Sequence, residues 1–381
     1  MKLTFPFTIA GQAAANLYSL GAGVRSWVYG RVGGGRERLC GKVVSIGNIG
    51  FGGTGKTPFT IWLAKRLSAA GLRPSILTRG YGRTSAERVR FFLPGAAADD
   101  ARADGDEVQL YLRHTVNVPV GIADSRYAAG KMIEERFRVD LHLLDDGFQH
   151  FSLARNLDLV LIDGRNPWGA RWGIPRVLRE SPRALRRADA ILITNCADAV
   201  DGTGRRLQAL REELRKLNPE APQFHAFASI AKFVERHGGG SLTPEAMKRY
   251  RALAFCGVGS PANFFSALEA VGVRCLERRT FHDHHRYRAE DLKGLEARAR
   301  QLGANCLLAT EKDLVNLPAK VKVGIPLYWA ELRFEVKEEA QLLRWMSERL
   351  ELSMNPAAIP SQAAGRDGAQ SVATVSGLSS S

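Results

Sequence analysis

Cysteine is scarce in this 381-residue chain and shows no pattern. Cys40, Cys196, Cys256, Cys275 and Cys306 are scattered, odd in number and include no C-x-x-C pair. Such usage argues against disulfide staples and cysteine zinc ligands, and it reads as reduced thiols in a cytosolic compartment. Acidic charge is also short, with 39 Asp and Glu against 54 Lys and Arg, a net charge of +15. The surplus points to an anionic partner: nucleic acid, a phosphorylated substrate or an acidic membrane surface. No internal repeat stands out. Beyond about Asn355 the tail is Ala, Ser, Gly and Gln without apolar period, which predicts disorder.

A long, purely apolar run is missing too. Leu3 to Val24 carries no charge, but Gly11, Gln12, Asn16, Ser19, Gly21 and Gly23 make it a poor spanning helix. A secretory signal would end in small residues, which Ala13-Ala14-Ala15 imitates. The nucleotide motif that follows argues against export. On a helix, Leu17, Leu20, Val24, Trp27 and Val28 share one face, with Tyr18 and Tyr29 as interfacial aromatics and Arg25, Arg31, Arg36 and Arg38 following. This pattern suits a helix lying in a bilayer surface; a helix packed on the rest of the protein is the alternative.

What the chain does have is a phosphate loop. Val43, Val44 and Ile46 lead into Gly50-Phe51-Gly52-Gly53-Thr54-Gly55-Lys56-Thr57, a match to G-x-x-x-x-G-K-[ST] at every position. Glycines let backbone N–H groups reach phosphate oxygens, Lys56 reaches the β/γ-phosphates, and Thr57 offers a hydroxyl to Mg²⁺. Pro58 and the apolar positions Ile61, Leu63, Ala64 and Leu67 predict a helix, whose N-terminal dipole would face the phosphates. The motif predicts binding of a nucleoside triphosphate.

Strands and helices then alternate, with polar residues closing the strands: Arg79-Gly80-Tyr81-Gly82, Asp145-Asp146-Gly147-Phe148-Gln149-His150, Asp163 and Thr194-Asn195. The expected fold is α/β, a P-loop NTPase-type parallel sheet with its site along that edge. Pro222 to Ser241, containing Gly238-Gly239-Gly240, reads as a boundary before a second, smaller α/β unit. The expected division is a membrane-surface helix over 1–35, a P-loop domain over 36–222, and a smaller domain over 223–322. A returning segment over 323–351 and a disordered tail over 352–381 complete it.

Several groups could carry chemistry. Asp145-Asp146 ends an apolar strand where a carboxylate for Mg²⁺ is needed, or else acts as a turn or cap residue. Asp106 in Gly105-Asp106-Glu107 is a candidate to accept a hydroxyl proton, or a helix cap. His282-Asp283-His284-His285 invites a zinc reading, but neighbouring histidines seldom converge on one ion; a histidine orienting a carboxylate, or one at a domain interface, is more natural. Arg171, Arg176, Arg179, Arg183, Arg186 and Arg187 crowd one segment with Trp168 and Trp172, as a solvated basic face or a surface for an anionic amphiphile or nucleic acid. Asn195-Cys196-Ala197-Asp198 stands where a GTPase would read guanine, with Cys196 in place of lysine. A GTPase and a basic nucleic-acid-binding ATPase therefore remain alternatives on the residues alone.

Taken together, Gly47-Asn48-Ile49, the phosphate loop with Pro58, Arg79-Gly80-Tyr81-Gly82, Gly105-Asp106-Glu107, the Asp145–His150 run, Leu178-Arg179-Glu180, Asp283-His284 and Thr310-Glu311-Lys312-Asp313 resemble the tetraacyldisaccharide 4'-kinase family. The resemblance extends from the N-terminal helix to about residue 350. It implies a monotopic enzyme on the cytoplasmic face of the inner membrane, a monomer with no nucleic-acid partner. Such an enzyme uses Mg-ATP to phosphorylate the 4'-hydroxyl of a tetraacylated glucosamine disaccharide 1-phosphate in lipid A biosynthesis. It further implies that Asp106 and His284 act as a dyad with Asp106 as base, and that Lys56 and Thr57 hold phosphate and metal. Asp145, Asp146 and Gln149 would surround Mg²⁺, and Tyr81, Arg179 and Glu180 would lie near the disaccharide. Bringing His284 to Asp106 is expected to require closure of the two domains. Val108 and Ser181 depart from the family, which has proline at both places.

Overall fold

A computed structural model of the chain describes residues 35–50, 52–97, 103–169, 178–195, 204–318 and 321–355. The expected N-terminal helix, Phe51, Asp99 and Asp100, Arg171, Trp172 and Arg176, the Cys196–Asp198 part of the guanine-like motif, and the tail beyond Asn355 lie outside the described residues.

The phosphate loop joins strand β1 (Lys42–Gly47) to helix α1 (Lys56–Ala69). Strand β1 is central, with β5 (Leu141–Asp145) parallel on one side and β6 (Leu157–Asp163) parallel on the other. Its Val43, Val44 and Ile46 are buried, as are β5 throughout and all of β6 up to Asp163. Strands covered on both faces need near-continuous apolar sequence, which is what these three have. Helix α1 buries Phe59, Trp62, Leu63 and Leu67 on one stripe.

Between α1 and β5 come β2 (Pro74–Thr78), β3 (Val89–Phe92), α2 (Asp106–His114), β4 (Val120–Ala123) and α3 (Arg126–Glu134). After β6, β7 (Ala190–Thr194) and α4 (Arg205–Leu217) complete this half. Strand β3 is an antiparallel edge strand that the sequence analysis leaves unassigned.

The stretch expected as a boundary holds one long strand, β8 (Gln223–Glu235), followed by a turn that begins at Arg236–His237 and leads into the glycines. Its polar insertions, Ser229 and Lys232, and the glycines that follow disguise it. A second unit follows: β9 (Ser241–Leu242), α5 (Pro244–Met247), β10 (Arg251–Cys256), α6 (Pro261–Ala270), β11 (Arg274–Thr280), α7 (Ala289–Leu302), β12 (Cys306–Thr310) and α8 (Glu311–Asn316). Strand β13 (Leu327–Val336) and helix α9 (Glu339–Leu350) return to the first unit.

All strands belong to one sheet, in the order β11-β10-β12-β13-β8-β7-β6-β1-β5-β2-β4-β3, with β9 on β8. Two parallel arrays meet at the antiparallel β8–β13 pair, which runs from Glu235–Tyr328 to Ala226–Val336. At the end of β13, Phe334 packs its ring 5.9 Å from that of Phe59 and 6.5 Å from that of Trp62 on α1. Helix α9 then inserts Leu342, Leu343, Met346 and Leu350 into the core that contains β1 and α1.

Leu343 is fully buried in that core. Leu343→Ala should cost about 2–5 kcal/mol through lost burial and an unfilled cavity. Urea denaturation would show it as a lower midpoint with the slope retained, and an unchanged midpoint would mean that α9 does not help to hold the first unit.

Candidate active site

The phosphate loop is braced from both sides of the sheet. Asn48 Nδ2 donates to Thr54 Oγ1 at 3.1 Å, and Thr194 Oγ1, at the end of β7, donates to the Thr54 carbonyl at 2.9 Å. Gly52 and Gly55 adopt φ of +113° and +88°, a region that disfavours side chains. Helix α1 has no acidic residue in its first turn and begins with Lys56. A cation at a helix N-terminus is unfavourable unless an anion joins it, which is the arrangement of a phosphate site.

In this structure the Lys56 ammonium lies 3.2 Å from Asp146 Oδ1. Arg179 donates to both Asp146 oxygens at 2.7 Å. Burial pushes the Asp146 carboxyl up, but the Lys56 and Arg179 charges outweigh it and hold the group far below the usual carboxylate range. Its neighbour Asp145 is buried and shifted the other way, by burial first and then by the Asp146 charge. Asp145 Oδ2 accepts from Thr78 at 3.4 Å, while Oδ1 is buried with no hydrogen-bond partner among the described residues. The Tyr111 phenol of α2, likewise buried without a hydrogen-bond partner among the described residues, lies near both Asp145 and Thr57. An orphaned carboxylate oxygen, a second carboxylate and a threonine hydroxyl form a donor set that suits a hard divalent cation. Arg126, buried at the start of α3, adds positive charge beside the two aspartates.

Gln149 Nε2 donates to the Asn48 carbonyl at 2.9 Å and to Glu180 Oε1 at 2.9 Å, leaving its amide oxygen as the acceptor. Glu180 is buried and also accepts from Arg187 at 2.9 Å. Leu178 bridges to Gly50, and Arg179 N–H donates to the Ile49 carbonyl at 2.7 Å, so this turn lies against the start of the phosphate loop.

Asp106 opens α2, and glycines set its surroundings. A side chain at Gly105 (φ +108°) would meet the Tyr81 carbonyl at 2.7 Å, and one at Gly80 (φ +67°) would meet the Asp104 carbonyl at 2.8 Å. The Arg79–Gly82 loop can therefore lie directly on the Asp104–Gly105 backbone, with Tyr81 exposed and its ring 4.8 Å from that of His284. His284, at φ +59°, places Nδ1 at 3.0 and 2.9 Å from the two Asp106 oxygens. The two side chains expected to need closure of the domains are in hydrogen-bond contact in this structure. Asn316 Nδ2 donates to Asp106 at 3.2 Å, and the Lys312 ammonium is 3.7 Å away. Burial would raise the Asp106 carboxyl, yet the His284 hydrogen bond, the Lys312 charge and the Asn316 amide together lower it. Burial first, then the charge of Asp106, push Glu107 up to about 7.

The second unit also touches the phosphate loop itself. Gly53 N–H donates to Ser260 Oγ at 3.2 Å, and a side chain at Gly259 would meet Gly53 N at 3.2 Å and Asp283 Oδ2 at 3.0 Å. Beside this contact is a cleft between the loop and Asp163, Asn166 and Pro167. The second unit thus touches both the phosphate loop, through Ser260, and Asp106, through His284. His282 and His285 are engaged with each other at 2.7 Å, and His285 with Asp291 at 3.1 Å, away from Asp106.

Asn316, Arg126 and Tyr111 belong to this site although no sequence motif points to them. None lies in a motif with chemical content of its own; each is recognisable only by what it touches.

Relatives bear on what this site does. A family model described as "Tetraacyldisaccharide-1-P 4'-kinase" matches residues 9–351. A protein of Syntrophus aciditrophicus named "Tetraacyldisaccharide 4'-kinase" is 33% identical over 340 residues, covering 88% of this chain and 91% of its own length. One of Anaeromyxobacter dehalogenans with the same name is 38% identical over 306 residues, covering 79% of this chain and 78% of its own. In fold, the chain is similar to LpxK from Aquifex aeolicus, crystallised in complex with ATP, with TM-score 0.65, 23% identity, and coverage of 90% of this chain and 99% of that one. By the extent of the family match and the identity of these relatives, the chain belongs to the tetraacyldisaccharide-1-P 4'-kinase family.

Proposed function

We propose that the chain transfers the γ-phosphoryl group of ATP to the 4'-hydroxyl of a tetraacylated glucosamine disaccharide 1-phosphate, with Asp106 accepting the hydroxyl proton. The observation that carries the assignment of roles is the Asp106–His284 contact at 2.9 Å, formed between α2 and the second unit, which also touches the phosphate loop. Phosphoryl transfer asks a protein mainly for alignment and charge, plus one acceptor for the proton. Backbone N–H groups of Gly50–Thr57 and the Lys56 ammonium would take the phosphates, Lys56 exchanging Asp146 for the incoming anion. Thr57, Asp145 and Asp146, with the Gln149 amide oxygen, would hold Mg²⁺, which neutralises charge on the bridging phosphates. Tyr81, exposed beside His284, would face the sugar, with Arg179 and Glu180 forming the wall behind it. Within this reading residues 36–222 form the nucleotide unit, 223–322 the unit that delivers His284, and 323–351 the segment that ties them.

The lipid acceptor implies a membrane surface. No helix among the described residues is long and apolar enough to cross a membrane. Access to lipid is assigned to residues 1–35 on the apolar face read from their sequence, at the cytoplasmic side of the inner membrane. The net charge of +15 favours an anionic surface.

Incubation of the purified protein with labelled ATP and the 4'-dephosphorylated lipid should yield 4'-phosphorylated product. Lys56→Ala should lower turnover by about 10²–10³-fold, the worth of a preorganised cation at transferring oxygens. Product formation with GTP only, or none with this lipid, would overturn the assignment. Asp106→Ala and His284→Ala should each lower kcat by about 10²–10⁴-fold, the usual contribution of general-base assistance, with KM for ATP little changed. Because the two handle one proton, the double variant should be scarcely slower than either single one; multiplicative losses would show independent roles. Deleting residues 1–30 should shift the protein away from sedimenting anionic vesicles and raise KM for vesicle-borne lipid, and unchanged co-sedimentation would place the anchor elsewhere.

A further inference from the structure

The Thr310-Glu311-Lys312-Asp313 run is unassigned by anything above, although each of its side chains is engaged. Thr310 and Asp313 cap α8 reciprocally, with Asp313 N–H donating to Thr310 Oγ1 at 3.1 Å. Asp313 also accepts from Gly257 N–H at 2.6 Å and the Tyr287 hydroxyl at 2.8 Å. Glu311 lies 2.8 Å from His114, at the far end of α2. Lys312 remains. Its ammonium lies 3.2 Å from His284 Nε2, 3.3 Å from Asp283 Oδ1 and 3.7 Å from Asp106 Oδ2.

We propose that Lys312 is a positioning residue that fixes His284 as the Nδ1–H tautomer, by donating to Nε2 while Nδ1–H donates to Asp106. This rests on the reading of Asp106 and His284 as the proton-handling pair. Lysine has donors and no acceptor, and an ionised carboxylate only accepts. A neutral ring held between them has one consistent arrangement: its single proton on Nδ1. The histidine then aligns Asp106 without cancelling its charge, so the carboxylate keeps its affinity for the hydroxyl proton. The donors of Asp106, Glu107 and His284 lie within 4.8 Å of one another, close enough to suggest a metal site. Here the cation at that cluster is Lys312.

The other groups around His284 would work against a neutral ring. Asp106 and Glu107 on α2, and Asp283 (Oδ2 3.8 Å from Nε2) on its own loop, are acidic. Tyr81 and Asn316 are neutral. Burial lowers the His284 imidazole, the Asp106 hydrogen bond raises it, Lys312 lowers it, and the net position is above the usual value. Lys312 is thus the one charged side chain among these that opposes a second proton. Removing it raises the proton affinity of both His284 and Asp106, since each loses the same nearby cation.

Lys312→Met in the full chain should lower kcat by about 10- to 100-fold, a share of what general-base assistance contributes, with KM for ATP little changed. The acidic limb of its kcat–pH profile should move to higher pH, because Asp106 must lose its proton to act. Independently of turnover, ¹⁵N NMR of histidine-labelled protein, with His284 assigned through His284→Ala, should show Nδ1–H and bare Nε2 in the wild type at mildly alkaline pH. Lys312→Met should show the imidazolium at the same pH. A wild-type ring protonated on Nε2 would overturn the proposal even if Lys312→Met failed to fold. So would a folded Lys312→Met with unchanged kcat, pH limb and ring signals, while Asp106→Ala remains impaired. Full turnover in Asp106→Ala and His284→Ala would instead overturn the dyad itself.

Discussion

The antiparallel β8–β13 ladder is the constraint on which the rest depends. Two parallel arrays, each able to build its own core, become one sheet only because this pair runs through both. Its register sets how far the second unit sits along the first, and so which residues of α8 and the 281–287 loop reach α2. Phe334 of β13, packed against Phe59 of α1, and Leu342, Leu343 and Met346 of α9 in the first core anchor the far end of the ladder. The site's dimensions are thereby set by backbone hydrogen bonds and apolar packing rather than by the charged groups themselves.

That division of labour matters because the charges are costly to bury. Asp146 and Asp106 each sit between two cationic or donor side chains, Lys56 with Arg179 and His284 with Lys312. A carboxylate buried without such partners would take up a proton, as Asp145 and Glu107 tend to do. The site thus holds acids of opposite tendency side by side. Two are kept ionised by neighbouring cations and hydrogen-bond donors, and two are pushed toward protonation by burial and by their neighbours. In the function proposed above, an incoming triphosphate would compete for Lys56 and leave Asp146 free to hold a cation. In a kinase that moves a phosphoryl group from ATP to the 4' position of a lipid A precursor, this lets one loop hold charge before and during substrate binding.

Much of the nucleotide half is legible in sequence because its signals are local. Parallel strands such as Leu159–Ile162 and Ala190–Ile193 are short apolar runs closed by polar residues. The phosphate loop is a contiguous pattern whose chemistry depends on backbone conformation at Gly52 and Gly55. Strands β3, β8 and β11 are harder. Strand β11, Arg-Cys-Leu-Glu-Arg-Arg-Thr, is largely exposed and charged, as an edge strand is, and β8 is interrupted by Ser229 and Lys232 where its ladder shifts register. Without a buried face on both sides, the pattern that marks a strand weakens.

The sequence by itself determined the α/β class, the phosphate loop, the aspartate pair at the end of a strand and the candidacy of Asp106, because each is a relation among neighbours along the chain. The residues narrowed the histidine to one cluster, and the family resemblance named His284 within it. The tertiary structure brings His284, and neither His282 nor His285, to Asp106 across 178 residues, and it alone decided that Glu180 is buried against Gln149 and Arg187 and that Lys312 faces the other side of the imidazole. Those outcomes depend on the register of β8 against β13 and on the positive φ at His284, and neither is encoded in any local pattern. Contacts between distant segments are settled by how two cores dock, and side chains of equal chemical promise are told apart by a rotation of the backbone.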